Sequence, residues 1–148
     1  MDIVMASDHR GLLLKEKIRC IFQKKGWDIS DLGPFNEESV DYPDFAEKVC
    51  RKITEGKAQK GILICGTGIG MSIAANKYPG IRAALCCSAK AALLARLHND
   101  AHVLVLSADF TEERELPQIL ENFFTTVFEG GRHQRRIGKI SQWENCCE

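Results

Sequence analysis

Residues 61 to 77 read Gly-Ile-Leu-Ile-Cys-Gly-Thr-Gly-Ile-Gly-Met-Ser-Ile-Ala-Ala-Asn-Lys. A short apolar run, Gly61–Cys65, feeds a glycine loop, and the loop feeds a helix-forming stretch, Gly70–Lys77. The run has the length and composition of a buried strand. The loop then sits at a helix N-terminus, where unpaired backbone N–H groups and the dipole favour negative charge. Cys65 stands at the mouth of this loop, the kind of place where thiols become reactive thiolates. An anion cradle beside a potential thiolate base is the strongest chemical signal in the chain.

The same alternation runs outward in both directions. Further strands are expected at Asp2–Ala6, Trp27–Leu32, Ile81–Cys86 and His102–Leu106. Between them, helical spacing marks Leu12–Lys25, Pro43–Glu55 and Ala89–His98, with Thr111–Phe128 after the last strand and a helical tail at Ile137–Asn145. Pro43 suits a first helical turn. Strands of four to six residues alternating with helices predict βαβ units, right-handed crossovers and helices on both faces of a parallel sheet. The fold class is therefore α/β: a three-layer α/β/α, Rossmann-like sandwich around a five-stranded parallel sheet, as one domain over 1–148. Sites in such sheets form at the carboxyl ends of the strands. That directs attention to Ser7 to Gly11, Asp41-Tyr42, Cys65 to Gly70, Ser88 and Ser107 to Asp109.

Composition narrows the function. The 148 residues are 45% hydrophobic and 27% charged, with a formal net charge of zero. A neutral chain argues against nucleic acid or an anionic membrane as the main partner. The N-terminus lacks a basic leader segment, and no apolar run approaches the roughly 20 residues of a membrane span, so a cytoplasmic location is expected. Seven cysteines are present without a CxxC pair. Neither zinc-ribbon nor thioredoxin chemistry is indicated, and most should be reduced thiols acting as small hydrophobes. Cys146 and Cys147 fall in a polar tail, where exposure is expected.

The glycine loop does not match the common phosphate motifs. A dinucleotide loop belongs after the first strand and requires a carboxylate ending the next, whereas this loop follows the third and Ile81–Cys87 ends in Cys-Cys. The GxxxxGK[ST] pattern is absent, and Met71 stands where a cysteine phosphatase needs arginine. What remains is a set of backbone donors for a small oxyanion; a tight packing turn is the competing reading. Cys65 is either that site's reactive thiol or a buried small hydrophobe. Asp8-His9 places a carboxylate and an imidazole on the same rim, or caps a helix. His98 closes a helix, where it can favour the dipole or act as a general acid. Arg132, His133, Arg135 and Arg136 form a basic knot after Gly130-Gly131, suited to a phosphate or to solvent.

Together these segments, with Asp41-Tyr42-Pro43, Gly80-Ile81-Arg82-Ala83 and His98-Asn99-Asp100, closely resemble the type B ribose-5-phosphate isomerases. The wider family includes the galactose-6-phosphate isomerase subunits. The resemblance covers nearly the whole chain in order, and its most specific part is the central loop with its helix. It implies reversible interconversion of ribose 5-phosphate and ribulose 5-phosphate through an enediolate, with no cofactor and no metal. By resemblance Cys65 is the base, Thr67 moves protons at the substrate oxygens, and His98 opens the furanose ring. The N–H groups of Gly66, Thr67, Gly68, Ile69 and Gly70 hold the enediolate oxygen. Asp8 binds sugar hydroxyls, Tyr42 and Asn99 line the pocket, and His9, Arg132 and Arg136 hold the phosphate with His133 nearby. The resemblance also implies a homodimer, or a dimer of dimers, with the site shared between subunits and the C-terminal helical extension reaching the partner.

Two positions depart from the pattern. Arg10 stands where a small or apolar residue is expected, and Asp109 where an arginine helps bind phosphate. Arg10 can compensate by reaching the phosphate or by pairing with Asp109. Two alternatives remain open: an isomerase of a six-carbon sugar phosphate such as allose or galactose 6-phosphate, and a non-catalytic phosphosugar-binding protein.

Overall fold

Three strands are buried almost throughout: β1 (Ile3–Ser7), β3 (Lys60–Cys65) and β5 (Val103–Ser107). Strands apolar on both faces need cover on both faces, which puts them at the centre of a parallel sheet. The computed structural model, which describes residues 2–144, shows this arrangement. With the short strands β2 (Ser30–Asp31) and β4 (Ala83–Leu85), the sheet has the order β2-β1-β3-β5-β4 and every pairing is parallel.

The helices are α1 (Leu12–Lys25), α2 (Tyr42–Thr54), α3 (Ile69–Ala75), α4 (Ala89–Asn99), α5 (Leu116–Thr125) and α6 (Arg132–Glu144). Side chains alternate across the sheet with period two. Ile62, Ile64, Leu104 and Leu106 join Ile18 and Phe22 of α1, Ala92 of α4 and Phe123 of α5 in one core. Leu63, Cys65, Val103 and Val105 join Val49 of α2 and Met71 of α3 in the other. Fully buried Phe22 and Phe123 each contribute roughly 1.5–3 kcal/mol through removal from water. Among the described residues no helix is long and apolar enough to cross a membrane.

Several boundaries differ from the expectation. The second strand is two residues long, because Trp27 and Ile29 pack against the first core without entering the ladder. The fourth is Ala83–Leu85, an edge strand. The long helix begins at Leu116 rather than Thr111; Thr111 instead accepts the Ser107 N–H at 3.2 Å, and Pro117 sits in the first helical turn. That helix ends at Thr125 rather than Phe128, and Thr126 after it is extended. The tail helix begins at Arg132, five residues early, so the basic knot is its first turn. His133 and Ile137, one helical turn apart, are its buried residues. Cys146 and Cys147 lie outside the described residues.

Candidate active site

The carboxyl ends of β1, β3 and β5 form one rim, and β3 delivers Cys65 to its middle. Cys65 is only 5% exposed, and the Gly68 N–H is 3.1 Å from its Sγ. A backbone donor aimed at sulfur is the contact a thiolate accepts. Gly68 makes this turn at φ +77, a conformation that favours glycine, and a Cβ there would also strike Leu85. Ile69 donates to Thr67 Oγ1 at 3.3 Å. Two of the five expected loop donors are thus turned inward, at Gly68 and Ile69, and the oxyanion cradle is narrower than the spacing suggests.

The neighbouring loops close on this one. The Ser107 hydroxyl and the Asp109 N–H both donate to Gly66 O, at 2.7 and 2.9 Å, and the Ala108 N–H donates to Cys65 O at 2.9 Å. Tyr42 lies against Gly70, where a Cβ would come within 2.6 Å of its ring. Asp8, 6% exposed, accepts the Gly11 N–H at 2.9 Å; the residue flanking α1 is Gly11, so neither Asp8 nor Ser7 caps that helix directly. His9 Nδ1 accepts the Val40 N–H at 3.2 Å, which leaves Nε2 as the donor in the neutral tautomer. Arg10 Nη2 contacts both oxygens of Asp109, at 2.9 and 2.7 Å, and its guanidinium lies directly over Gly66. Arg10 therefore pairs with Asp109, one of the two compensations expected for these unusual positions.

The other expected residues gather at the opposite edge. α4 runs back across the sheet from Ser88, whose Oγ accepts the Ala91 N–H, and ends at Asn99 beside the start of β5. The following turn is clamped: Arg82 and Arg96 each reach the Asp100 carboxylate at 2.9 Å, and Arg82 Nε donates to Asn99 O at 3.0 Å. This fixes where His98 and Asn99 project. α6 packs on the same end. The rings of His98 and His133 stack with centroids 4.2 Å apart and planes 10° off parallel. Glu129 faces both, 3.9 Å from His98 Nε2 and 3.6 Å from His133 Nε2, while its N–H donates to Leu97 O. Burial, with His98 and Arg132 alongside, holds His133 below its ordinary 6.5. Arg132 and Arg136 are exposed on the same helix.

The expected site residues fall into two groups. Cys65, Thr67, Gly66 to Gly70, Asp8, His9 and Tyr42 share the carboxyl rim; His98, Asn99, Arg132, His133 and Arg136 share the amino edge. An 11-residue helix separates them, about 16 Å of rise.

The family model described as Ribose/Galactose Isomerase matches residues 3–140. The chain belongs to this family. A putative sugar phosphate isomerase of Rickettsia bellii is 51% identical over 139 residues, covering 94% of this chain and 96% of its own. The structure of the Clostridium thermocellum ribose-5-phosphate isomerase B superposes with a TM-score of 0.95 at 44% identity, covering 98% of both chains. That of the Mycoplasma genitalium ribose-5-phosphate isomerase B, solved with bound ribulose-5-phosphate, gives a TM-score of 0.92 at 47% identity, over 98% of this chain and 97% of the other. The fold is that of these isomerases, and the chain is an enzyme of this class.

Geometry gives a role to Ser107, on a rim segment the sequence singled out, and adds Asn76 and Glu129, which the sequence reading passed over. Ser107 ties the β5 turn to Gly66, Asn76 bridges α3 to Ala83 of β4, and Glu129 faces the histidine stack. Ser107 and Glu129 depend on elements distant in sequence, whereas Asn76 and Ala83 are seven positions apart. Glu129 had one local signal, its place directly before Gly130-Gly131.

Proposed function

We propose that the protein interconverts ribose 5-phosphate and ribulose 5-phosphate, as one isomerase domain that works in the cytoplasm as a homodimer. The observation that carries this reading is the carboxyl rim, where a buried Cys65 sulfur with a backbone donor against it lies between Asp8-His9 and the glycine loop. Five described cysteines are free, as suits a reducing compartment.

The chemistry follows from these positions. The Cys65 thiolate removes the proton from C2 of the open-chain aldose and returns it to C1. Negative charge moves onto the C1 oxygen as the enediolate forms. Backbone N–H groups of the narrowed cradle meet that charge, and a preset donor costs no reorganisation when it develops. Thr67 shuttles protons between the two substrate oxygens. Before this step, His98 protonates the ring oxygen of the furanose as the bond from C1 to that oxygen breaks, and the C1 hydroxyl gives its proton to water as it becomes the aldehyde. The phosphate is held by His9 and by Arg132 and Arg136, whose forked donors suit its oxygens.

His98 and the arginines lie a helix length away from Cys65 within one protomer, so a complete site takes Cys65 from one copy and the amino edge from another. A two-fold dimer repeats such a contact twice and forms two equal sites.

The test is an isomerase assay on ribose 5-phosphate with allose 6-phosphate and galactose 6-phosphate alongside. Ribose 5-phosphate is expected to be the best substrate, and Cys65→Ala to lower its turnover by at least about a hundredfold. Unchanged turnover in Cys65→Ala would remove the assigned base. Binding without turnover by the wild type would leave a phosphosugar-binding protein.

A further inference from the structure

The reaction as described uses His98, yet His98 sits in a cluster with Glu129 and His133 whose donor atoms all lie within 4.8 Å of one another. Such a spread can hold a cation. The details here oppose it. The two imidazoles are nearly parallel and stacked, so their in-plane lone pairs run side by side instead of converging on one point. Arg132 Nε also donates to His133 Nε2 at 3.4 Å, which occupies the lone pair a metal would take.

The same details suit a single shared proton. Two imidazolium rings 4.2 Å apart would repel, so the stack holds one positive charge far more easily than two. His133 is the poorer place for it: it is 5% exposed, it accepts from Arg132, and Arg132 and Arg136 both face it. His98 is more open, with 37% of its side chain exposed. The Glu129 carboxylate approaches both rings from the loop before α6, and its backbone bond to Leu97 ties it to the turn of α4 that carries His98. Asp100, the next carboxylate along, is already engaged by Arg82 and Arg96.

We propose that Glu129 is a positioning residue for His98, supplying the counter-charge that keeps the ring-opening proton on His98 with His133 as a neutral ring beneath it. This rests on the ring-opening role of His98 proposed above. It gives Glu129 a part in the step that needs an acid and none in proton transfer between C2 and C1.

The test is the pH profile of turnover at saturating substrate, measured from both directions on Glu129→Gln and Glu129→Asp. With Glu129 56% exposed, its charge acts on His98 through water-like surroundings and at this distance is worth roughly 0.7 of a pH unit of proton affinity. With ribose 5-phosphate, the high-pH limb of Glu129→Gln should therefore move down by about half to one pH unit, a loss of about threefold to tenfold above the limb and little below it. Glu129→Asp should restore part of the shift, and turnover of ribulose 5-phosphate should change little. An unmoved profile, or an equal loss at every pH with both substrates, overturns the inference. His98→Asn in the same assay separates the two levels. If it slows both substrates equally, the ring-opening role fails. If it slows ribose 5-phosphate selectively while the Glu129→Gln profile stays in place, the positioning role alone fails.

Discussion

The two edges of one protomer are built by different means. At the carboxyl rim the Cys65 sulfur is buried and nearly every restraint around it is backbone: Gly68 N–H on Sγ, Ala108 N–H on Cys65 O, and Ser107 and Asp109 on Gly66 O. At the amino edge the functional groups are side chains projecting from helix ends, steadied by arginines that clamp the Asp100 turn. The difference suits the two tasks proposed for these edges. Charge that appears during the reaction is met best by fixed dipoles in a water-poor place. A phosphate arrives already charged and can be met by flexible guanidiniums in water.

Among substitutions outside the proposed base, the arginines are expected to respond most strongly. Arg136→Ala should raise KM for ribose 5-phosphate roughly tenfold or more while leaving the unfolding temperature nearly unchanged, since the side chain is exposed. Steady-state kinetics with thermal melts checks both. An unaltered KM would remove the phosphate from the amino edge.

A smaller effect sharpens the account of the rim. Arg10 neutralises Asp109 beside the loop, so Arg10→Ala leaves a bare carboxylate facing an anionic substrate. KM should rise about threefold to tenfold, and Arg10→Ala with Asp109→Ala should bring it back. Both side chains are substantially exposed, so the stability cost is about 1 kcal/mol or less. If the double variant is as impaired as Arg10→Ala, Arg10 binds the substrate directly instead.

The smallest effect separates the edges by pH. His102 at the start of β5 is held below its ordinary 6.5 by burial and by Arg82, and His133 by burial and its cationic neighbours. Both bind fewer protons folded than unfolded below that value, so stability falls as pH drops below about 6.5. Denaturant melts from pH 7.5 to pH 5 should show this decline, and His102→Gln should flatten it. An identical slope in His102→Gln would contradict the assignment.

The rim was the more legible half. Gly61–Cys65 and the glycine loop are contiguous, and the apolar runs of β1 and β5 announce their burial without reference to neighbours. The Arg10–Asp109 pair was legible only as two odd residues 99 positions apart. They meet because the strand order places β1 and β5 on either side of β3, which local pattern does not encode. The amino edge was read less well for a related reason. Arg132 to Arg136 look like solvated loop until His133 is seen buried one turn before Ile137, and that burial comes from α4, a separate element. Glu129 acquires its meaning from the same docking.

In the proposed dimer each site is assembled from two copies, Cys65 from one and His98 from the other. The direct measurement mixes Cys65→Ala with His98→Asn after co-refolding or co-expression and assays ribose 5-phosphate. Each variant alone should be nearly inactive. A random two-fold mixture should recover about a quarter of wild-type turnover, because half the dimers carry one site with both groups intact. A mixture no more active than the sum of its parts would place both groups in one protomer's site and contradict the account.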